Sequence, residues 1–217
     1  MWWKNVLFIF TIIIAYIFWV WYEYIGDVNV YDSVCFRLHV LNQNKNYKII
    51  PLFTKEECKE IIRQGNNYAK KNKWCTTRHV AYHTTDNRIT KKWKCHAKIK
   101  EKFKTIIRPL MAEMFHVDKK DIGISEFFIA KYDANKQNSL QKHKDGGEFS
   151  IIVALNDEFK GGGTSFTQLK QDVKLKVGEC LVFSGQNEHC GIPITQGKRY
   201  ILTGFFHYKS NGYCSCI

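Results

Sequence analysis

Proline is scarce in this chain: three residues in 217, set against 15 Phe, 11 Tyr and 6 Trp. A linker or solvating chain needs the reverse, so this balance excludes an extended, disordered polypeptide and promises a buried core. Acidic residues are also short, 20 Asp and Glu against 33 Lys and Arg, a formal charge of +13. Internal repeats, low-complexity tracts, a glycine-rich phosphate loop and a serine nucleophile elbow are all missing from the sequence. Repeat arrays, P-loop chemistry and serine hydrolysis lose their sequence basis. One globular domain with a short appendage accounts for the length.

The positive excess invites nucleic acid, an anionic membrane or an acidic partner. It is localised: residues 48–108 hold 17 Lys or Arg and 5 Asp or Glu. Lysines there fall on the polar faces of amphipathic helices, where they are ordinary, so nucleic acid is the disfavoured partner.

Residues 6–22, VLFIFTIIIAYIFWVWY, carry no charge. At about 1.5 Å rise per residue such a helix, with its flanks, crosses most of a hydrocarbon core of roughly 30 Å. Trp2 and Trp3 on one side and Trp19, Trp21, Tyr22 and Tyr24 on the other suit the two interfaces. The bulky WVWYEYIG that ends the run lacks the small residues of a cleavage site, which favours a retained anchor over a cleaved signal peptide. Lys4 before the run and Glu23, Asp27 and Asp32 after it place the N-terminus in the cytoplasm. The expectation is a single-pass protein with an anchor at 1–25, a stalk at 26–50, and a domain at 51–212 in an endoplasmic-reticulum-like lumen. Eight cysteines are compatible with an oxidising space. Cys58 and Cys180 read equally well as buried free thiols.

Thr54 with Glu57 three residues on is a capping box, followed by Cys58, Ile61, Ile62 and Tyr68 on one stripe, which predicts a helix ending near Lys71. Residues 74–90 have strand composition. Ile99, Phe103, Ile106, Leu110 and Met114 predict a second helix, kinked at Pro109. After Asp118 strand-like segments alternate with glycine-marked turns: 124–132, 149–156, 164–169, 173–177, 180–184 and 199–208. The helical part (51–118) and the β part (119–212) together read as an α+β domain with helices packed on a sandwich, jelly roll or barrel.

His143 and Asp145 stand two apart, and on an extended chain residues i and i+2 face the same side. The composition alone supplies about 0.3 such pairs per chain, so the pair is weak by itself. His189, in the loop GQNEHCGIP, would complete two histidines and one carboxylate on one face of a metal, the set used by non-haem Fe(II) oxygenases with three positions left open. An organic dicarboxylate co-substrate would need a fixed cation, and Arg199 can supply a bidentate one. Arg199 opens a strand, where an arginine is commonly just surface. A rival zinc grouping of Cys75, His79, His83, Cys95 and His96 matches no standard finger, and a Cys75 to Cys95 disulfide competes with it.

The segments HKDGGEFSIIVALN, FKGGGTSF and GECLVFSGQNEHCGIPITQGKRYILTGFF, in that order, resemble the catalytic domain of Fe(II)- and 2-oxoglutarate-dependent dioxygenases. The likeness lies in the prolyl 4-hydroxylase and procollagen lysyl hydroxylase branch and spans about residues 120–208. His189-x-Gly-x-Pro followed by Gly197-x-Arg199-Tyr200 is most similar to the lysyl hydroxylases, whereas prolyl 4-hydroxylases typically carry lysine at the position of Arg199. The resemblance implies a double-stranded β-helix (jelly roll) and Fe(II) on His143, Asp145 and His189. It implies 2-oxoglutarate held at its distal carboxylate by Arg199 with Tyr132 in contact, dioxygen as oxidant and ascorbate as reductant. The implied activity is hydroxylation of lysyl or prolyl residues of a collagen-like polypeptide. The alternatives are the same chemistry on a small molecule or nucleobase, or an inactive peptide-binding module.

Overall fold

The computed structural model describes residues 47–79 and 81–209. The expected anchor at 1–25 and most of the stalk lie outside the described residues, and no described helix is long and apolar enough to cross a membrane. The end of the stalk is a strand: β1 (Lys48–Pro51) pairs antiparallel with β9 (Glu179–Ser184).

Helix α1 (Lys55–Asn72) starts at the capping box. Glu57 donates its N–H to the Thr54 hydroxyl at 3.2 Å, and the Thr54 N–H reaches the Glu57 carboxylate at 2.8 Å. Two orphan donors are thus satisfied reciprocally. Its buried stripe includes Cys58, Ile61 and Gly65. A Cβ on Gly65 would stand 2.9 Å from Ile129 Cδ1, so the missing side chain is what lets the helix approach the sheet so closely.

The second helix is broken in three: α2 (Cys95–Lys102), a π turn at Phe103–Ile107, and α3 (Arg108–Phe115). Pro109 has no N–H for the carbonyl four residues earlier and crowds it. The wide turn accommodates this, with the Arg108 N–H bonding the Phe103 carbonyl five residues back. The extra residue shifts the apolar stripe, as π-bulges do. Ile107 and Met111 are fully buried, while Ile106 is 40% exposed and Leu110 half-buried. The kink is where the sequence predicts it; Ile107 and Met111 take the places expected of Ile106 and Leu110, while Met114 is buried as expected.

Eleven described strands form two antiparallel sheets. The larger runs β1, β9, β5 (Phe149–Ala154), β11 (Ile194–Tyr208), β3 (Ile122–Asp133), β2 (Asp86–Arg88), with β6 (Phe159–Gly161) attached to β11. The smaller runs β4 (Leu140–His143), β10 (His189–Gly191), β7 (Thr164–Phe166), β8 (Gln171–Val173). The region 74–90 supplies only β2 and a bridge at Cys75, and the expected strand at 173–177 begins earlier and ends at Val173.

Strand alternation sorts the core into two layers. From the large sheet Phe128, Tyr132, Ile152, Leu181, Phe183 and Ile201 join Phe166 and Val173 of the small sheet in one cluster. The intervening residues face the helices: Phe206 stacks on Phe103 at 4.5 Å between centroids, and Phe149 meets Phe115 at 4.7 Å. This is an α+β jelly-roll arrangement, two sheets closing on a core with helices behind the larger one.

Cys58, Cys75, Cys95 and Cys180 are all free thiols. The competing Cys75 to Cys95 disulfide does not form, because Cys75 sits at the β2 edge while Cys95 opens α2.

Candidate metal centre and its cavity

The small sheet sets His143 directly opposite His189, in register between β4 and β10. His189 is therefore on a short strand rather than in a loop, and is only 4% exposed. Asp145 follows two residues after His143, its backbone N–H held by the Gly185 carbonyl at 2.8 Å. One ligand-capable atom from each of the three lies within 4.8 Å of the others, the only such group of three or more among the described residues. The rival grouping around Cys75 and Cys95 is not gathered.

Backbone carbonyls orient both rings. His143 Nδ1 bonds the Gln141 carbonyl at 2.9 Å, and His189 Nδ1 bonds the Asn187 carbonyl at 2.8 Å. A carbonyl only accepts, so Nδ1 carries the proton on each ring and Nε2 is left with its lone pair turned to the centre. Asp145 is in turn fixed by the Ser150 hydroxyl at 2.5 Å. Its oxygens stand 3.4 Å from His143 Nε2 and 3.7 Å from His189 Nε2. Burial alone would raise the Asp145 carboxyl, but the two imidazoles and the Ser150 hydrogen bond outweigh it and hold it below the ordinary carboxylate range. Burial pushes His189 down, and also opposes the charge on His143, which the contact with Asp145 nevertheless raises.

The three face a cavity of about 330 Å³ whose wall includes Tyr132, Ile152, Thr164 and Arg199. Arg199 lies inside β11, which begins at Ile194 and runs between β5 and β3. It therefore opens no edge strand, and at 5% exposure it is not a surface residue. Along β11, Arg199, Ile201, Thr203 and Phe205 alternate into the cavity wall. Arg199 donates from Nη1 to the Gly163 carbonyl at 3.0 Å and lies over the Tyr132 ring, 5.4 Å from its centroid. No carboxylate of the described residues pairs with it. Burial lowers its affinity for a proton, and lifts that of the Tyr132 hydroxyl. Gly161, Gly162 and Gly163 all have positive φ, and a Cβ on Gly162 would lie 3.3 Å from Arg199 Cδ. Only glycine fits both the backbone and this approach.

Sequence reasoning missed Arg78 and Tyr82, which also line the cavity, Tyr82 with its ring 5.1 Å from that of His143. His79, placed there in the rival zinc set, faces the same cavity. No spacing in TTRHVAYHTTD signals this, since the segment is positioned by partners distant in the chain.

A jelly roll that presents two imidazoles, a carboxylate and a buried guanidinium with no carboxylate partner among the described residues to one cavity has the make-up of the non-haem oxygenases that use a keto-acid co-substrate. Residues 127–207 match the model of the 2OG-Fe(II) oxygenase superfamily, and this domain belongs to that superfamily. Among relatives, the procollagen lysyl hydroxylase and glycosyltransferase of Acanthamoeba polyphaga mimivirus is 30% identical over 174 residues, covering 71% of this chain and 18% of that protein. Procollagen-lysine,2-oxoglutarate 5-dioxygenase 1 of Rattus norvegicus is 27% identical over 172 residues, covering 71% and 23%. The chain spans about a fifth of the length of these curated relatives. Among solved structures, a Pseudomonas putida prolyl-4-hydroxylase superposes with TM-score 0.59 at 14% identity, covering 81% of this chain and 100% of that one. The collagen prolyl hydroxylase of Paramecium bursaria Chlorella virus-1 gives 0.57 at 17%, covering 74% and 94%.

Proposed function

We propose that the domain is an Fe(II)- and 2-oxoglutarate-dependent dioxygenase that hydroxylates lysyl or prolyl residues of a polypeptide. The observation that carries this reading is the pairing, in one cavity, of the His143, Asp145 and His189 donor set with a buried arginine that has no carboxylate partner among the described residues. Two neutral nitrogens and one carboxylate oxygen fit a divalent iron and leave positions for co-substrate and dioxygen.

Iron held there supplies the activation of dioxygen, coupled to oxidation of 2-oxoglutarate to succinate and carbon dioxide. His143, Asp145 and His189 bind it; the Gln141 and Asn187 carbonyls and the Ser150 hydroxyl keep those side chains aimed. Arg199 takes the distal carboxylate of 2-oxoglutarate, with the Tyr132 ring beneath the guanidinium limiting where that carboxylate can sit. Ile152, Ile201 and Phe205 offer no protons and keep water from the reacting groups. The polypeptide substrate is supported by the names of the relatives, which are lysyl and prolyl hydroxylases. The uncharged run 6–22 would tether the domain to a membrane on its lumenal side, with ascorbate as reductant.

The test is succinate formation by the purified full chain with Fe(II), 2-oxoglutarate and collagen-like peptides, followed by mass spectrometry. Peptide-stimulated succinate and one added oxygen on lysine or proline are expected. Absence of both turnover with any peptide and iron binding overturns the reading.

A further inference from the structure

The cavity that the metal-ligand set faces also carries in its wall a polar assembly built on Arg78. Its Nε donates to Asp86 Oδ1 at 2.5 Å, its Nη1 to Glu126 Oε2 at 2.9 Å, and its Nη2 meets His79 Nε2 at 3.0 Å. Asp86 is wholly buried and also accepts from the Thr84 hydroxyl. The His79 ring rests against Phe128 and Phe205, with centroids 5.1 and 6.2 Å away. Arg78, His79, Phe128 and Phe205 all line the cavity.

A guanidinium has donors and no acceptor. The Arg78 contact therefore casts His79 Nε2 as an acceptor, which puts the ring N–H on Nδ1. The hydrogen bond from Arg78 is the one His79 makes among the described residues, and the same Nε2 lies 3.6 Å from Asp86 Oδ2. An N–H donor is left on a ring that packs against two phenylalanines, in a side chain only 23% exposed. No acceptor among the described residues takes this N–H, so a ligand in the cavity can accept from it. Both neighbouring carboxylates are already engaged by Arg78, so this wall asks for an acceptor rather than a cation.

We propose that His79 binds the polypeptide substrate, donating from Nδ1 to one of its backbone carbonyl oxygens, and that Arg78 is a positioning residue that holds the ring in the required tautomer. The inference rests on the polypeptide-hydroxylase reading above and deepens it. A carbonyl is the acceptor that every polypeptide carries beside its side chains. Fixing one carbonyl on this wall sets how far the neighbouring side chain reaches toward the metal, and small misplacements of reacting groups are costly.

The experiment compares peptide and 2-oxoglutarate KM for the full chain bearing His79→Asn, His79→Gln or His79→Phe. The asparagine amide nitrogen falls near ring Nδ1, the glutamine amide near Nε2, and phenylalanine has no donor. Glutamine and phenylalanine are expected to raise peptide KM about tenfold or more, well beyond any change in 2-oxoglutarate KM, while asparagine stays within about threefold of wild type. Ring nitrogen NMR gives a second readout: His79 should carry its proton on Nδ1 in wild type and lose that preference in Arg78→Met. Three variants that behave alike, whether all near wild type or all equally impaired, overturn the proposal. A wild type that forms no succinate with any peptide sinks the underlying reading instead, and this inference with it.

Discussion

The small sheet and the helical layer meet the same problem, a backbone whose register must be fixed, and solve it differently. In the small sheet the pairing of His143 with His189 aims both rings. A one-residue slip there would flip a histidine to the other face. In the helical layer an extra residue is inserted at the π turn, and the core takes Ile107 and Met111 in place of Ile106 and Leu110. Packing asks only for apolar volume facing the sheet, so a rotation of the stripe is tolerated. Chemistry asks for particular atoms at a point, and so it sits where a hydrogen-bonded ladder sets direction.

The sharpest way to break this contrast is Asp145→Ala. Iron affinity and turnover should both fall by more than the roughly 100-fold that loss of an outer partner of a metal ligand brings, with the fold retained by circular dichroism. Retained iron affinity would move the metal elsewhere. Next in size, Arg199→Ala should raise the KM for 2-oxoglutarate about 100-fold, and Arg199→Lys about tenfold, since lysine keeps the charge without the planar fork. Equal KM in all three enzymes would remove Arg199 from co-substrate binding.

Met111→Ala should cost about 3 kcal/mol in denaturant unfolding, and Leu110→Ala less than half as much, with kcat changed little by either. The reverse order would mean that the helix runs on without its wide turn. The smallest effect concerns Glu57. Burial opposes its charge, but Lys98, the Thr54 N–H and Lys102 hold its carboxyl down at about 2, against 4.5 ordinarily. A group depressed in the folded state stabilises fully above its unfolded value and loses that contribution as pH falls toward the folded one. Glu57→Gln should therefore flatten the acid limb of stability between pH 4.5 and 2, by no more than about 1 kcal/mol.

What was legible in the sequence was what is encoded locally. Thr54 and Glu57 announce a helix start within four residues, and the runs 149–156, 180–184 and 199–208 overlap β5, β9 and β11. Three-residue strands such as β6 and β10 are too short for a period to show and exist because a partner strand completes them. The placement of Arg199 was misread for a similar reason: β11 starts five residues before it, at Ile194, through pairing with β6. His143, Asp145 and His189 could be grouped because two of them stand two apart and His189 completes the two-histidine, one-carboxylate set, a grouping the family likeness then implies and the structure gathers. Arg78 and its carboxylates, 8 and 48 residues away, leave no such trace.

The three consecutive glycines have a last consequence. With the Gly162 backbone close to the Arg199 stem and the Gly163 carbonyl accepting from its head, the arginine is held at two points. Under the proposed reading it acts as a ruler: a diacid one methylene shorter than 2-oxoglutarate would fall short of it, and one methylene longer would have to buckle.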